Sequence, residues 1–470
     1  MPALLLLRNA MVAATMDAQR REIHDASVLI EDRRIHSVAP SAEIDAWIAA
    51  DPQHRTPERT IDVSGCVLLP GLVNCHHHLF QSLTRTIGTG SGLGLFDWLR
   101  LLYPIWGRMD PDAVRISATT ALAELVLSGA TTVADHLYLF PNGARLDDEI
   151  DAARALGVRI HATRGSMSMG ESQGGLPPDS LVESESAILA DCQRVIETFH
   201  DPAPGAMLRI GLAPCSPFSV SRDLMRETAS MAQAHAWVGL HTHLAETRDE
   251  DRYCREKFGQ RPLDYAEAVG WLDERTWFAH MVCIQSAEIG RLARARAGVC
   301  HCPSSNMILG SGIAPVRAML DGGVKVALGV DGSASNDGNH MLGEARQAML
   351  LQRVAERDGA LAADALSARE ALELATLGGA AVLGRDDIGS LEPGKVADVV
   401  AFRVDGIQHA GALADPVAAL VTCAPGPAWL SVIDGRIIVE QGMLTGVELA
   451  LLVEQHNSIS RRMLQSAGLA

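Results

Sequence analysis

The sequence predicts an α/β protein with a closed (β/α)₈ barrel and a second, smaller β-sheet domain. Three observations predict this fold. Short apolar strands alternate with longer helical runs through the middle of the chain, and eight such strands can be counted there. Runs of β-type residues separated by turns occur near both ends. We therefore expect both chain ends to build one domain and the middle to build the barrel.

Length and composition are compatible with this size of fold. The chain has 470 residues, of which 47% are hydrophobic, so it can bury a large core. A barrel of about 250–300 residues plus an accessory domain fits that length. With 40 basic and 57 acidic residues, the formal charge is −17. Because no basic surface is expected that could hold phosphates, nucleic acid is not a predicted partner.

The N-terminal stretch "MPALLLLRNAMVAATM" predicts a strand rather than a signal peptide. Arg8 interrupts its apolar run, and no basic residue precedes that run. No later run approaches the roughly 20 apolar residues that a membrane-spanning helix needs. The nine cysteines, an odd number, predict reduced thiols rather than a disulfide framework. We expect a cytoplasmic protein without membrane association.

The elements follow in order along the chain. The β-sheet domain is predicted over 1–65 and 385–470, with a C-terminal helix, and the barrel over 66–384. A segment rich in Gly, Ser and Pro, 165–179, predicts a loop over the carboxyl ends of the barrel strands. The eight predicted barrel strands are 66–74, 130–136, 157–165, 207–214, 238–244, 277–280, 298–303 and 324–332.

Polar side chains cluster at the predicted carboxyl ends of these strands, where a barrel places its chemistry. They are His76, His78, His241, His243, His280, His301 and Asp331. His76 and His78 share one face of a strand, about 6.6 Å apart, while His77 points away. Catalytic zinc takes about three protein ligands plus water. The set His76, His78, His243 and Asp331 therefore predicts one divalent ion, first of all Zn²⁺, with Fe²⁺ or Mn²⁺ as alternatives.

Packing is the competing interpretation for each of these residues. A lone histidine at a strand end is more often a hydrogen-bonded packing residue than a ligand, and His77 is interpreted in this way. Two H-x-H pairs and a strand-end Asp in barrel order favour metal binding instead. Cys300 and Cys302 are interpreted as buried thiols. Packing is also expected for His24, His36, His54, His200, His235, His409 and His456.

Six ordered motifs resemble the signatures of the amidohydrolase superfamily, in its cytosine, guanine and adenosine-type deaminase branch. They are "PGLVNCHHHLFQ", "HTHLAET", "FAHMV", "HCPSSNM", "LGVDGSASND" and "SLEPGKVADVVAF". The resemblance implies a distorted barrel, a flanking β-sandwich, a homo-oligomer and one metal on the four residues named above. The fourth strand, "MLRIGLAP", lacks the lysine that bridges two metals in binuclear members, which favours a single ion.

The resemblance also implies catalytic roles for three residues. Glu246, three residues after His243, would protonate a ring nitrogen as hydroxide adds to the adjacent carbon. Asp331 would receive the proton of the attacking water and deliver it to the departing amine. His280 would hydrogen-bond the attacking oxygen or the substrate, with a satisfied core histidine as the structural alternative.

The substrate is predicted to be a small purine-like molecule. The amide of Gln81 can donate and accept at once, which suits the lactam edge of a guanine-like ring, although it could also brace a loop. Trp98, Arg164 and Cys215 are further candidate contacts, and Ser166 lies beside them. Several longer motifs, including "NCHHHLFQSLTR" and "LFDWLRLLYPIW", look closest to the 8-oxoguanine deaminase group, whose members release ammonia from 8-oxoguanine to give urate.

Two alternatives remain open. The same site could serve isoxanthopterin or another pterin, guanine or an aminotriazine. A non-catalytic scaffold is a remote second class, because folds of this kind also occur without activity. Retention of the complete predicted ligand set and of Glu246 argues against a scaffold.

Overall fold

The computed structural model describes residues 3–356 and 359–469, and its centre is an eight-stranded parallel barrel. The strands follow one another around the barrel in chain order. They are β6 (Leu72–Asn74), β7 (Ala130–Leu137), β8 (Arg159–Ser166), β9 (Leu208–Pro214), β10 (Gly239–Leu244), β11 (Thr276–His280), β12 (Gly298–His301) and β13 (Lys325–Leu328). The predicted (β/α)₈ barrel is thereby confirmed.

The accessory domain is one nine-stranded sheet made from both parts of the chain that flank the barrel. Most neighbours are antiparallel, while β1 runs parallel to β4 and β5. The accessory domain, predicted as a sandwich, is thus one continuous hydrogen-bonded sheet. Residues 1, 2 and 470 of the predicted domain lie outside the described residues. The strands are β1 (Leu4–Ala14), β2 (Glu22–Glu31), β3 (Arg34–Pro40), β4 (Arg59–Asp62), β5 (Cys66–Pro70), β14 (Val399–Arg403), β15 (Ala428–Ile433), β16 (Arg436–Glu440) and β17 (Met443–Leu444).

Helices connect the barrel strands and cover them. The predicted C-terminal helix is present as α18 and contacts α4. Among the described residues, no helix combines the length and apolar character that crossing a bilayer requires. The helices are α1 (Ser41–Ala50), α2 (Pro52–Arg55), α3 (Leu95–Trp106), α4 (Pro111–Leu127), α5 (Leu146–Leu156), α6 (Glu185–Phe199), α7 (Arg222–Gln233), α8 (Arg248–Phe258), α9 (Pro262–Ala268), α10 (Ser286–Ala295), α11 (Pro303–Ile308), α12 (Val316–Asp321), α13 (Ser333–Asn336), α14 (Met341–Val354), α15 (Ala368–Glu373), α16 (Gly379–Val382), α17 (Pro416–Thr422) and α18 (Leu449–Ser466).

Backbone hydrogen bonds close the barrel between its first and last strands. The amide of Cys75 donates to the carbonyl of Leu328 at 3.0 Å, and the amide of Asp331 donates to the carbonyl of His76 at 3.1 Å. These bonds join the chain segments that carry two of the predicted metal ligands. The hydrogen bonds that close the barrel therefore also bring His76 close to Asp331.

The predicted first barrel strand, 66–74, is divided between the two sheets. Residues Cys66–Pro70 pair with β1 and β14 in the accessory sheet, and only Leu72–Asn74 belong to the barrel. Gly71 separates them, and a Cβ there would lie 2.0 Å from Oγ1 of Thr131. Only glycine allows this close approach, so Pro70–Gly71 marks a transfer between sheets.

A buried ion pair joins the barrel to the accessory sheet. Arg159, at the start of β8, contacts Asp398, and both side chains are buried. The other oxygen of Asp398 accepts from the amide of Asp434 at 2.8 Å. Each charge neutralises the other, and removing either partner would leave a costly buried charge.

All nine cysteines lie in the described residues as free thiols, as predicted.

Candidate metal centre

Three buried imidazoles and one carboxylate meet at the carboxyl ends of the barrel strands. Nε2 of His78 lies 3.0 Å from Nε2 of His243. Oδ1 of Asp331 lies 3.3 Å from Nε2 of His76 and 3.5 Å from Nε2 of His78. The side chains come from the loop after β6, from β10 and from the loop after β13. These are the four residues that the sequence pattern selects as metal ligands.

Backbone carbonyls fix the tautomers of two of these rings. Nδ1 of His78 faces the carbonyl of His136 at 2.7 Å, and Nδ1 of His243 faces that of Cys215 at 2.6 Å. A carbonyl oxygen can only accept, so each Nδ1 must carry the proton. In the neutral rings, Nε2 of His78 and of His243 then present lone pairs to the centre of the site.

A second histidine fixes the tautomer of His76. Nδ1 of His241 lies 2.9 Å from the carbonyl of Trp277 and must donate to it. Nε2 of His241 is therefore an acceptor, and Nδ1 of His76 donates to it at 2.7 Å. Nε2 of His76 is left as a lone pair, and this buried atom has no hydrogen-bond partner.

The charge balance of this cluster fits a cation. Burial lowers the pKa of His76 and His78, and that of His243 to about 3, so the rings are neutral at neutral pH. Three converging lone pairs and a carboxylate suit a divalent ion that binds nitrogen and oxygen. Without a cation, the lone pairs of His78 and His243 would repel each other.

Close backbone approaches position Asp331. Its backbone adopts the left-handed region, with φ of 63°. A Cβ at Gly329 would lie 2.9 Å from Cβ of His76, and one at Gly332 would lie 1.9 Å from Oε1 of Gln81. Glycine on both sides thus lets the loop after β13 contact the first ligand and the Gln81 amide.

Glu246 and His280 lie beside this cluster. Nε2 of His280 is 3.7 Å from Oε2 of Glu246 and 3.8 Å from Oδ2 of Asp331, and its Nδ1 donates to Oδ1 of Asn306 at 2.9 Å. Burial raises the pKa of Glu246. Burial alone would lower the pKa of His280, but the carboxylates of Glu246 and Asp331 raise it. His280 therefore faces two carboxyl groups with Nε2 while Asn306 holds its Nδ1 proton.

Glu250 holds the turn that presents Glu246. Its Oε1 accepts from the amide of Ala245 at 2.9 Å, and its Oε2 accepts from the amide of Glu246 at 2.8 Å. Ala245 adopts a left-handed φ of 51°, which a side chain disfavours. The two hydrogen bonds offset that strain and fix the backbone from which the Glu246 side chain projects.

A cavity opens onto the cluster. Oε1 of Gln81 is buried there without a hydrogen-bond partner. The wall combines apolar and aromatic residues with the polar groups above, and is formed by His78, Gln81, Leu95, Trp98, Leu99, Tyr138, Cys215, Phe218, His243, Glu246, His280, Leu309, Asp331 and Ser335.

The predicted substrate contacts divide into two groups. Gln81, Trp98, Cys215 and His280 line the cavity. Arg164 is not brought to it: Nη2 donates to Glu183 at 2.8 Å and Nε to Asp191 at 2.7 Å. Both carboxylates neutralise the Arg164 guanidinium at the base of the 165–179 loop. Arg164 therefore stabilises that loop.

The remaining predicted polar residues are buried around the cluster. Ser166 is buried, and its hydroxyl has no hydrogen-bond partner. His77 Nε2 donates to Oδ1 of Asn339 at 3.1 Å, in agreement with a packing role. Cys302 is buried, although a ligand-type atom of it lies within 4.8 Å of such atoms of His76 and Asp331.

Sequence reasoning missed several residues of the site. His136 has a ligand-type atom within 4.8 Å of those of His76, His78 and His243. Glu250 positions Glu246, and Tyr138 lines the cavity. His241 was placed at a strand end by the sequence, but its hydrogen bond to His76 was not predicted. The position of His136 at the end of a predicted strand was an available signal. No such signal was available for Glu250 in "AETRDED", because an exposed acidic residue on a helix would give the same sequence pattern.

Three known proteins are similar to this chain over most of its length. An 8-oxoguanine deaminase of Pseudomonas aeruginosa is 47% identical over 405 residues, 86% of this chain and 89% of that protein. An isoxanthopterin deaminase from an unknown prokaryotic organism is 35% identical, covering 98% and 97%. The crystal structure of an atrazine chlorohydrolase from Arthrobacter aurescens, complexed with zinc, superimposes with a TM-score of 0.90 at 35% identity, covering 97% and 100%.

The family pattern agrees with these likenesses. The pattern described as the amidohydrolase family matches residues 67–437, which include the whole barrel and every residue of the candidate metal centre. Because this match covers well over half of the chain, the protein belongs to the amidohydrolase family.

Proposed function

We propose that this protein is a metal-dependent deaminase that converts 8-oxoguanine and water to urate and ammonia. The observation that carries the proposal is the cluster of three neutral imidazole lone pairs and Asp331, with the protonatable Glu246 beside it. His76, His78, His243 and Asp331 would hold one divalent ion, and the ion we propose is Zn²⁺. A bound Zn²⁺ would supply hydroxide at neutral pH, because it lowers the pKa of water from 15.7 to about 7.

The residues of this chain would move protons around the reacting ring. Glu246 would donate a proton to N3 as hydroxide adds to C2, which suits a carboxyl group whose pKa burial has raised. His280 donates a hydrogen bond to the oxygen that attacks. Asp331 takes the proton of the attacking oxygen and passes it to the 2-amino group, which leaves as ammonia. The C2–N bond breaks and a C2 carbonyl remains. The proton that water loses on becoming hydroxide restores the proton of Glu246, so the atoms balance.

Gln81 and the aromatic wall support a lactam-containing ring as substrate. The free Oε1 of Gln81 can accept from a ring N–H, and its amide N–H₂ can donate to the adjacent carbonyl. Trp98, Tyr138 and Phe218 offer flat surfaces to a planar heterocycle. The 47% identity to an 8-oxoguanine deaminase supports the choice of purine.

A pterin is the second candidate substrate. Isoxanthopterin carries a similar 2-amino lactam edge, and an isoxanthopterin deaminase is 35% identical to this chain over 98% of its length. Both substrates would use the same proton transfers. The difference would lie in how the second ring contacts the far side of the cavity.

Steady-state kinetics of ammonia release tests the proposal. The zinc-loaded protein should be compared on 8-oxoguanine, guanine, isoxanthopterin and an aminotriazine. We expect the largest kcat/KM for 8-oxoguanine. A larger kcat/KM for isoxanthopterin would indicate that the substrate is a pterin and not a purine. If none of the four compounds released ammonia, the deaminase proposal itself would be contradicted.

A further inference from the structure

A second cavity, of about 310 Å³, lies at the opposite end of the barrel from the candidate metal centre. Residues at the starts of strands border it, including Gly239 of β10, Trp277 of β11 and Lys325 of β13. Trp237 and Leu383 complete an apolar wall. Trp237 is 58% exposed, which is unusual for so large an apolar side chain.

Two cationic side chains line this cavity, Lys325 and Arg275. A third, Arg209, is not part of the lining but contacts its wall, with its guanidinium carbon 5.4 Å from the centre of the Trp237 ring. None of the three forms an ion pair within the ranges 3–356 and 359–469. Glu274, which also lines the cavity, is paired with Arg296 instead.

This excess of positive charge stands out in a chain whose formal charge is −17. Arg209 is 6% exposed, and its buried Nε has no hydrogen-bond partner. Burial, together with the nearby charge of Arg385, lowers the pKa of Arg209 to about 10. The carboxylates of Asp387, Asp386 and Asp201 act on Arg209 without forming an ion pair with it. An anion in this cavity would add a negative charge on the side of Lys325 and Arg275.

The aromatic side of the cavity connects to the candidate metal centre through two rings. The indole of Trp277 stacks on His241, with ring centroids 4.6 Å apart and planes 16° from parallel. His241 in turn accepts the hydrogen bond that fixes the tautomer of His76. A ligand that contacts Trp277 would therefore be two side chains away from a candidate metal ligand.

We propose that this cavity, which we call the amino-end site, binds a small aromatic carboxylate or similar planar anion. Its ring would contact Trp237 and Trp277, and its negative charge would lie near Lys325 and Arg275. The inference goes beyond the proposed deaminase activity, since it uses none of the residues assigned to that reaction. It rests on an aromatic wall, unpaired cations and a cavity that occur together.

Calorimetric titration of the zinc-loaded protein with 2-naphthoate tests the amino-end site. We expect one equivalent of 2-naphthoate to bind, and its neutral isostere 2-naphthamide to bind about tenfold more weakly, because the charge attraction is lost. Lys325→Met should weaken 2-naphthoate binding about tenfold. Lys257→Met, the same substitution outside the cavity, should leave the affinity unchanged.

A second variant separates the amino-end site from binding at the candidate active site. Trp237→Ala removes an exposed wall residue and is expected to weaken 2-naphthoate binding while leaving deamination unchanged. Equal affinities for 2-naphthoate and 2-naphthamide would overturn the proposal. Undiminished binding in both Lys325→Met and Trp237→Ala would also do so, as would an absence of binding at millimolar concentrations.

Discussion

Each of the three candidate histidine ligands is oriented by the atom behind it. The carbonyls of His136 and Cys215 and the ring of His241 accept the protons of His78, His243 and His76, respectively. Such outer partners commonly change metal affinity 10–100-fold when altered. The metal-facing nitrogens are thus set before any ion arrives, by groups that have no contact with the ion.

The residue that tests the chemistry most directly is Glu246. Glu246→Gln keeps the shape of the side chain but removes its transferable proton, so we expect kcat to fall on the order of 10²–10⁴-fold. Metal content should be unchanged, because the four candidate ligands remain. Steady-state kinetics and elemental analysis measure the two effects. A Glu246→Gln enzyme with nearly normal kcat would remove Glu246 from the mechanism.

At the residue scale, spacing along strands predicted more than side-chain chemistry alone. The H-x-H spacing and barrel order selected His76, His78, His243 and Asp331, which lie together in the structure. Arg164 also lies near the end of a strand, yet it pairs with Glu183 and Asp191 from the following loop and helix. Such pairing depends on loop conformation, which no local pattern specifies.

The connection between β10 and α8 shows how a short element carries a catalytic side chain. Thr247 begins α8 by accepting from the amide of Glu250 at 3.3 Å, and the Glu250 side chain returns to the amides of Ala245 and Glu246. Helix start and catalytic turn therefore share one set of hydrogen bonds. Glu250 is a positioning residue, since it acts through Glu246.

Replacing Glu250 should misplace Glu246. In the native protein, both carboxylate oxygens of Glu250 accept from backbone N–H groups. In Glu250→Gln, an N–H₂ group would replace one of these acceptors and face a backbone N–H, so the turn should shift. A displacement of about 1 Å can cost about 100-fold in rate, and we expect kcat to fall about 10–100-fold with KM changed much less. Glu256→Gln, an exposed position on the same helix, is the matched control. Equal kinetics of the two variants would refute the positioning role.

Element boundaries were less predictable than element types. The apolar run 66–74 has the composition of one buried strand, but Pro70 and Gly71 divide it between two sheets. The cause is a long-range contact, because Gly71 lies against Thr131 of the next barrel strand. A local pattern indicates that a break is allowed there, whereas only the tertiary structure decides which sheet each half joins.

For the whole molecule, the candidate metal centre joins three distant parts of the chain. Bound metal should therefore stabilise the fold, by about 4 kcal/mol when free ion is a thousandfold above its Kd. We expect removal of the ion by a chelator to lower Tm by at least several degrees. Scanning calorimetry at one scan rate measures the shift, and added Zn²⁺ should reverse it. An unchanged Tm in protein shown to be metal-free would contradict the shared-ligand geometry.

The passage of the chain from β5 through Gly71 into β6 also limits how this protein could be rearranged. His76 and His78 follow within a few residues of a strand that the accessory sheet holds on both edges. A barrel excised at residue 71 would begin with an untethered segment that carries two of the four candidate ligands. Chimaeras between relatives should therefore exchange the barrel together with both flanking ends, as a single inherited unit.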